Sequence, residues 1–253
     1  KIFDTSSQSG VITGTGDWLF YSDSLPDYQR TNILTDRQLH NAVRNLELVN
    51  EYCSDNGIEF LFVIAPNKNT LYPEYMPYYL VPGEGPSNRE LLDDLLTDTQ
   101  VNFTDFGRYD TFLDPEAGYY FHRDSHWNNV GAAIASNSIL SSLGVPHHDY
   151  SSDGTYIGEP HRGDLEQMIY PTDSASEYET VFDVMPSFTY DAPVESNFDF
   201  RIGTSGSGES SLLMYRDSFG SALVPFMSEP FGHAFFSRSN SCQITDFISN
   251  NQS

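Results

Sequence analysis

Helix-forming segments alternate with short apolar segments in the first half of the chain, and this order limits the folds open to it. Thr35 and Gln38 form a capping box ahead of apolar residues that recur at helical spacing as far as Cys53. Gly57 then suits the left-handed position that ends many helices. The segment FLFVIAP (60–66) is continuously apolar and closes on a proline, which predicts a strand buried on both faces.

The same unit then recurs. Ser87 and Glu90 form a second capping box, and VNFTDF (101–106) follows as the next predicted strand. A further helix is predicted from about Asn128, and Gly144 can end it. Helices that alternate with buried strands indicate an α/β protein with a mostly parallel sheet flanked by helices.

The second half of the chain begins with a different composition. Residues 145–210 are rich in Pro, Gly, Ser, Asp and Tyr, and they predict an irregular, β-rich insertion that lines a cleft. Regular order returns with strands at 211–215 and 233–238, a helix over 218–227, and a final helix over 244–250. We therefore expect residues 1–253 to form a single domain that carries this insertion.

Charge and composition exclude several classes of function. The 253 residues carry a formal net charge of −24, which argues against binding to nucleic acid or to anionic membranes. No apolar run is long enough to span a membrane, and the start at Lys1 is compatible with removal of a signal or anchor. Two cysteines, Cys53 and Cys242, form no zinc-site pattern, and separate buried thiols are favoured over a bridge.

A serine occupies the junction between a predicted buried strand and a helix. In SLLMYRDSFGSAL (211–223), Ser218 stands where ligands bind at the carboxyl edge of open parallel sheets. Free backbone N–H groups in a first helical turn can stabilise an oxyanion beside a serine hydroxyl. Serine and aspartate are also the commonest helix caps, and Asp217 is expected to bond backbone amides of the turn.

A histidine and an aspartate that could activate this serine lie in FHRDSHWNNVGAA (121–133). A serine hydroxyl is a poor nucleophile until an imidazole accepts its proton and a carboxylate orients that imidazole. Asp124 and His126 lie at another predicted loop-to-helix junction, so the pair could converge with Ser218. The spacing permits this convergence without proving it.

A metal site is the main alternative for the same stretch. His122, Asp124 and His126 alternate along the sequence, so on an extended segment they would share one face and could bind zinc or iron for a metal-dependent hydrolase. The other candidate ligands lie in a loop-rich stretch, and we therefore predict no metal and no cofactor. Those other candidates are His147, His148, Asp149 and His161.

Several segments together resemble the alginate O-acetyltransferase-like branch of the SGNH hydrolase superfamily. Its two sharpest motifs are Asp-x-His-Trp, here Asp124 to Trp127, and Asp-Ser-Phe, here Asp217 to Phe219. The serine block follows the Asp/His block, so the motif order is circularly permuted relative to the wider superfamily. The other matching segments are GDWLFY (16–21), APNKNTLYPEYMP (65–77) and HRGDLEQM (161–168).

The resemblance implies an SGNH-like fold with Ser218 as nucleophile, His126 as general base and Asp124 as the group that orients it. One departure is that Arg216 stands where the better-known motif has glycine. The arrangement of the oxyanion donors is therefore not predicted, and Arg216 could contact a substrate carboxylate. Further candidates for substrate binding or the oxyanion site are Phe219, Asn67, Lys68, Tyr72, Arg238 and Trp127, the last of these favoured as a packing residue.

The expected function is a serine-dependent O-acetyltransferase or acetylesterase that acts on an extracytoplasmic polysaccharide through an acetyl-enzyme. The resemblance implies a periplasmic, cell-surface or secreted bacterial protein, and it leaves open a membrane anchor in the full-length protein. It also implies a membrane acyltransferase as a candidate acetyl donor. The alternative is a catalytically inactive carbohydrate-binding or assembly module of the same fold.

Overall fold

A computed structural model describes residues 10–106, 112, 118–172 and 177–239 of the chain. The chain divides into two compact units, Lys1–Val184 and Met185–Ser253. The boundary between the units falls inside the segment that the sequence assigns to an insertion, 145–210. Both units combine helices with small sheets, so the protein is mixed α/β.

Capping residues begin the two predicted helices of the first unit. The Thr35 hydroxyl accepts the Gln38 backbone N–H, and the Gln38 side chain accepts the Thr35 N–H, which confirms the predicted capping box. Ser87 and Glu90 form the second box in the same way. The helices of this unit are α1 (Leu25–Tyr28), α2 (Asp36–Asp55), α3 (Lys68–Leu71), α4 (Asn88–Thr97), α5 (Asn129–Ser142) and α6 (Asp164–Ile169).

Three strand pairs accompany these helices within the described residues of the first unit. β1 (Val11–Thr13) and β2 (Leu19–Tyr21) form an antiparallel hairpin. β3 (Phe62–Ile64) and β4 (Phe103–Asp105) pair in parallel, as helix-linked strands do. β5 (Thr155–His161) and β6 (Glu177–Phe182) form a second antiparallel pair with an irregular register between Ile157 and Pro160.

The core of the first unit is aromatic. Trp18 stacks on Tyr75 at 4.4 Å between ring centroids and lies 4.6 Å from Tyr72. A smaller apolar cluster joins Val11 and Leu19 of the β1–β2 hairpin to Leu165 of α6. The hairpin and α6 are therefore held together by burial of apolar surface.

The second unit contains a four-stranded sheet in the order β7–β8–β10–β9. Its strands are β7 (Thr189–Tyr190), β8 (Arg201–Ser205), β9 (Ser211–Tyr215) and β10 (His233–Ser237), with a helix α7 (Val224–Ser228) between the last two. β9 and β10 are parallel neighbours, with Tyr215 opposite Ser237. The chain segments that follow β9 and β10 therefore leave the sheet at the same edge.

The structure corrects several predictions. The predicted helix 218–227 is a single 3₁₀ turn, Phe219–Ser221, followed by α7, in whose first turn Pro225 lies. β3 is half-buried rather than buried on both faces, and the predicted insertion contains the unpredicted helix α6. Of the strand pairs in the described ranges, two are parallel, β3–β4 and β9–β10, and four are antiparallel. The predicted helix 244–250 lies outside the described residues.

Cys53 is a buried free thiol at the end of α2, and Cys242 lies outside the described residues. Among the helices in the described part of the chain, none has the length and apolar character needed to cross a bilayer.

We predict that the cap of α2 contributes measurably to stability. Thr35→Ala removes the hydroxyl that accepts the Gln38 N–H, and it should lower the free energy of unfolding by about 1 kcal/mol. Thr35→Ser keeps a hydroxyl at the same position and should retain most of that stability. Urea titration of the three proteins, followed by far-UV circular dichroism, measures both differences. Equal losses in the two variants would contradict the assignment of the cap.

Candidate active site

His126 and Asp124 form a hydrogen-bonded pair just before α5. The His126 Nδ1 atom lies 2.7 Å from Asp124 Oδ1, and the His126 backbone N–H donates to the same oxygen at 2.9 Å. Because an ionised carboxylate can only accept, Nδ1 carries the proton and Nε2 of His126 is the basic nitrogen. Asp124 is buried, whereas the His126 side chain keeps 17% of its exposure.

The second oxygen of Asp124 is also occupied. Oδ2 accepts the Nε2–H of His161 at 3.0 Å and the backbone N–H of Asp164 at 3.0 Å. The other ring nitrogen of His161, Nδ1, lies 3.0 Å from Glu179 Oε1. A chain of four ionisable side chains therefore runs from Glu179 through His161 and Asp124 to His126.

The pKa values of this chain follow from its hydrogen bonds. Burial raises the pKa of Asp124, but the hydrogen bonds from His126 and His161 outweigh it and hold the pKa well below its usual range. Burial lowers the pKa of His161, but the bonds to Asp124 and Glu179 outweigh it and raise the pKa to about 9. At neutral pH Asp124 is therefore a carboxylate and His161 an imidazolium.

The loop that carries the pair is fixed through its backbone. The Glu177 carboxylate accepts the N–H groups of His122 and Arg123 at 2.6 and 2.7 Å. The Ser125 N–H donates to Asp164 Oδ1 at 2.8 Å. Gly163 contacts the backbone of Arg123 so closely that any side chain at position 163 would collide with it. The loop thus has one conformation that several separate segments enforce.

Lys68 is the deepest of these anchors. Its ammonium donates to the carbonyl oxygens of Leu19, His122 and Asp124 at 2.7, 2.7 and 2.9 Å, and the residue is 5% exposed. It lies 4.9 Å from the ring centroid of Trp18, a cation–π distance. Burial lowers the pKa of Lys68 to about 7, while the three carbonyl acceptors favour the protonated form, which alone has three N–H donors.

The segment around His122 does not match the arrangement that the metal alternative assumes. Residues 122–126 form a series of bends rather than an extended strand, and the His122 ring stacks on Trp18 at 4.4 Å. Among the described residues, ligand atoms of Asp124, His126 and Asp164 lie within 4.8 Å of one another. Hydrogen bonds between Asp124 and His126, and from Ser125 to Asp164, account for this grouping. His122 is therefore not part of a His-Asp-His ligand set.

In the second unit, Ser218 lies directly after β9, at the start of the 3₁₀ turn. The residue is half-buried, and its side chain makes no capping bond to the turn. Asp217 Oδ1 instead accepts the backbone N–H groups of Phe219 and Gly220 at 2.9 and 3.3 Å. The expected structural role of Asp217 is confirmed, and these bonds hold the turn that presents the Ser218 hydroxyl.

Arg216 lies in the interior of this turn. Its guanidinium donates to Ser221 Oγ at 2.6 Å and to the carbonyl oxygens of Asn197 and Asp199 at 2.9 and 3.1 Å. The residue is 8% exposed, and burial lowers the pKa of Arg216 to about 10. The guanidinium therefore fixes the turn to the segment before β8. The predicted contact between Arg216 and a substrate carboxylate does not fit this buried position. A Cβ at Gly220 would collide with the Arg216 side chain.

The remaining candidates lie at different depths. Arg238 is half-buried just after β10 and donates to the Phe198 carbonyl at 3.1 Å, so it follows the same sheet edge as Arg216. Asn67 follows β3 and donates to Asp27 Oδ2 at 3.2 Å. Tyr72 and Trp127 are 1% and 2% exposed, so both are packing residues in this structure rather than walls of an open cleft.

Tyr72 and Trp127 have specific packing partners. The Tyr72 hydroxyl accepts the Tyr119 N–H at 2.9 Å, and burial raises the pKa of Tyr72 to about 12. The Trp127 ring lies edge-on to Phe106 at 6.1 Å. This confirms the packing role expected for Trp127.

Sequence reasoning missed the parts that His161, Glu179 and Asp164 play around Asp124. His161 and Asp164 lie in HRGDLEQM (161–168), a segment that matches the family, and His161 is also among the further candidate metal ligands. Neither signal predicts a contact with Asp124. Nothing in the local pattern around Glu179 marks it.

The chain is similar to proteins of known family and structure. Residues 11–204 match the family described as "SGNH hydrolase-like domain, acetyltransferase AlgX". The match includes Asp124, His126 and His161 and ends before Ser218. A curated relative, the probable alginate O-acetylase AlgJ of Azotobacter vinelandii, is 22% identical over 189 residues, which are 68% of this chain and 47% of the relative. The chain thus spans about half the length of this relative.

Solved structures share the fold. Bacillus cereus PatB1 superposes with a TM-score of 0.64 at 16% identity, covering 95% of this chain and 92% of that one. A DHHW family protein from Eubacterium siraeum gives 0.60 at 18% identity, covering 83% and 80%. The O-acetyltransferase domain of Pseudomonas putida AlgJ gives 0.53 at 16% identity, covering 96% and 84%.

We predict that Lys68 is essential to the stability of the Asp124 loop. Lys68→Met keeps the length of the side chain but removes the ammonium that donates to three carbonyl oxygens, of which the His122 oxygen keeps the Leu19 N–H at 2.8 Å. It should lower the free energy of unfolding by about 3 kcal/mol. Arg37→Met, at an exposed position of α2, removes a cation of similar size and should change stability by no more than about 0.5 kcal/mol. Denaturant titration compares the two. A Lys68 variant as stable as the Arg37 variant would show that the three hydrogen bonds contribute no net stability.

Proposed function

This chain belongs to the AlgX acetyltransferase family of SGNH hydrolase-like domains, and from this we propose that it is a serine-dependent O-acetyltransferase or O-acetylesterase. Ser218 is the proposed nucleophile, His126 the general base and Asp124 the carboxylate that orients it. The motif order, with the Asp/His block before the serine, is the proposed circular permutation. The substrate class is an acetyl ester of a polysaccharide or oligosaccharide.

The observation that carries the proposal is the geometry of the His126–Asp124 pair. A carboxylate bonded to Nδ1 at 2.7 Å fixes the tautomer and the orientation of the imidazole. Since the bond to Asp124 uses Nδ1, Nε2 is the ring nitrogen to which the role of general base is assigned. Both Asp124 oxygens accept hydrogen bonds from the protein, so the carboxylate is held in one orientation.

The proposed reaction has two half-reactions. The Ser218 hydroxyl attacks the carbonyl carbon of the acetyl ester while His126 Nε2 accepts its proton. The resulting tetrahedral intermediate collapses, the ester C–O bond breaks, and the imidazolium returns the proton to the leaving alcohol. An acceptor hydroxyl, from a sugar or from water, then attacks the acetyl-enzyme with His126 again as base. The acetyl group leaves on the acceptor, and Ser218 regains its proton.

The turn around Ser218 limits which groups stabilise the oxyanion. The Phe219 N–H, a predicted donor, is bonded to Asp217 Oδ1 at 2.9 Å. The proposal therefore assigns this role to the backbone N–H of Ser218 itself, which is next to the hydroxyl in the chain. The backbone N–H of Ser218 thus replaces that of Phe219 as the proposed oxyanion donor.

The biological setting is inferred from the family and from its relatives. The curated relative is named as an alginate O-acetylase, and one solved neighbour is described as an O-acetyltransferase domain. We therefore place the activity of this chain on a bacterial extracytoplasmic polysaccharide, with a membrane acyltransferase as the acetyl donor. Transfer and hydrolysis use the same triad and differ in the acceptor that the site binds.

We predict that Ser218 and His126 act as one catalytic unit. Ser218→Ala and His126→Ala should each lower the hydrolysis of p-nitrophenyl acetate by about a thousandfold or more, because each removes the activated nucleophile. The double variant should be no slower than either single variant, since the two groups act in the same step. Ser210→Ala, an exposed serine of the same unit, should leave the rate unchanged.

Two outcomes would contradict this assignment. Wild-type rates in both single variants would leave the carbohydrate-binding or assembly module as the better account of the chain. Losses that multiply in the double variant would show that Ser218 and His126 act in separate steps.

We also predict that a sulfonyl fluoride modifies one residue, Ser218. Bacillus cereus PatB1 has been solved with a sulfonyl adduct. In this chain the Ser218 oxygen should attack the sulfur of phenylmethylsulfonyl fluoride, displace fluoride and form a sulfonate ester. Peptide mass spectrometry should locate the adduct on Ser218 in the wild type and find none in His126→Ala. Labelling of another serine, or equal labelling without His126, would contradict the role of the pair.

A further inference from the structure

We propose that His161 is a positioning residue for the His126–Asp124 pair, and that Glu179 holds it in its charged form. The inference rests on the proposed function, because it assigns a role in the same reaction. It adds two residues to the proposed triad and makes the acid–base half of the site a row of four side chains. Neither residue touches the substrate in this scheme, since both act through Asp124.

The geometry alone determines the charge of His161. Its Nε2 lies 3.0 Å from Asp124 Oδ2 and its Nδ1 lies 3.0 Å from Glu179 Oε1. Carboxylate oxygens accept hydrogen bonds and donate none, so both ring nitrogens must carry protons. A ring with two N–H groups is an imidazolium. His161 is therefore a cation within the row, bonded to the Asp124 oxygen that the His126 ring does not contact.

The surrounding structure holds this cation in place. The His161 ring stacks on Phe121, with 3.8 Å between centroids and 11° between planes. His161 ends β5 and lies opposite Glu177 of β6, so Glu179, two residues further along β6, projects to the same face. The β5–β6 pairing sets the separation of His161 and Glu179. It therefore holds the His161 ring between the Glu179 carboxylate and Asp124.

The consequence for Asp124 is a fixed rotamer. The carboxylate accepts four hydrogen bonds, two at each oxygen: from the ring and backbone of His126, from His161 and from the Asp164 N–H. If His161 is removed, Oδ2 keeps only the backbone donor, and the carboxylate can rotate away from His126 Nδ1. Loss of orientation at an acid–base pair lowers the rate of the chemical step more than it weakens substrate binding.

The charge of His161 has a separate effect on His126. His126 is faced by Asp124 and, at 3.7 Å, by Asp164 Oδ2, both of which favour its protonated form. The imidazolium of His161 offsets part of this negative charge. It therefore favours the unprotonated imidazole that a general base needs, relative to a site with the two carboxylates alone.

The experiment compares three variants in acetyl-ester hydrolysis over a range of pH. His161→Ala should lower kcat by about tenfold to a hundredfold, as loss of a second-layer partner does, with KM changed by less than about twofold. The acid limb of its kcat/KM profile should move to higher pH, because His126 keeps its proton more tightly without the neighbouring cation. Glu179→Gln should shift kcat and the acid limb in the same directions by smaller amounts.

A matched control is the His148–Asp153 pair, which has the same chemistry away from this row, with 2.7 Å between His148 Nε2 and Asp153 Oδ2. His148→Ala should leave kcat and the pH profile unchanged. Thermal unfolding of every variant distinguishes a loss of folded protein from a loss of catalytic rate. A merely structural role of His161 would lower the melting temperature without moving the acid limb of the kcat/KM profile.

Each outcome decides the proposal. Wild-type kcat and an unmoved acid limb in folded His161→Ala would overturn it. If His161→Ala does not fold, Glu179→Gln decides instead. Wild-type kcat and an unmoved acid limb in Glu179→Gln would overturn the proposal, whereas a lower kcat with the acid limb at higher pH would support it. Failure of the proposed function looks different, because Ser218→Ala and His126→Ala would then retain wild-type activity.

Discussion

The buried carboxylate of Asp124 is the group on which the candidate site depends. An ionised carboxylate with little solvent around it is costly unless each lone pair is satisfied, and here four donors supply those bonds. Two of the donors are histidine rings, and they approach different oxygens. The hydrogen bonds that make Asp124 tolerable in the interior are thus the same ones that fix the tautomer of His126. Stability and chemistry share one set of contacts at this position.

These contacts are made between segments that are distant in sequence. Lys68, at the start of α3, reaches the carbonyl oxygens of residues more than fifty positions later in the chain. The Glu177 carboxylate, on β6, accepts hydrogen bonds from two backbone N–H groups of the same loop. A loop held by a cation at its carbonyls and an anion at its N–H groups has few alternative conformations. Order at the site therefore comes from the surrounding elements rather than from the loop's own sequence.

This explains which features could be predicted from the sequence. Both capping boxes and the Asp124–His126 pair depend on residues two or three positions apart, and each was read correctly from the local pattern. The roles of His161 and Glu179 depend on strand register and on contacts with a loop almost forty residues away, which no local pattern encodes. Lys68 is predicted as a candidate for substrate binding, yet the residue is buried and its ammonium donates to three carbonyl oxygens, which replace water around it.

The helix predicted after Ser218 shows a second limit of pattern reading. The apolar spacing of 218–227 suits a helix, but Asp217 bonds the first N–H groups of the turn and Pro225 suits the first turn of a new helix. Local hydrogen bonding therefore favours a 3₁₀ turn and a restart at Val224 over one continuous helix. The family assignment was confirmed by a match to residues 11–204, whereas the meeting of Ser218 with the pair stays a prediction.

The arginine at position 216 can be understood through the glycine at position 220. The Arg216 side chain lies so close to Gly220 that a Cβ at position 220 would collide with it. Its guanidinium bonds Ser221 and two carbonyls of the segment before β8, while Gly220 supplies the space that its aliphatic part needs. Arg216 therefore holds the turn through its hydrogen bonds. A turn fixed by a buried cation and by Asp217 on its other side presents Ser218 in a single backbone conformation, which is what a serine nucleophile requires.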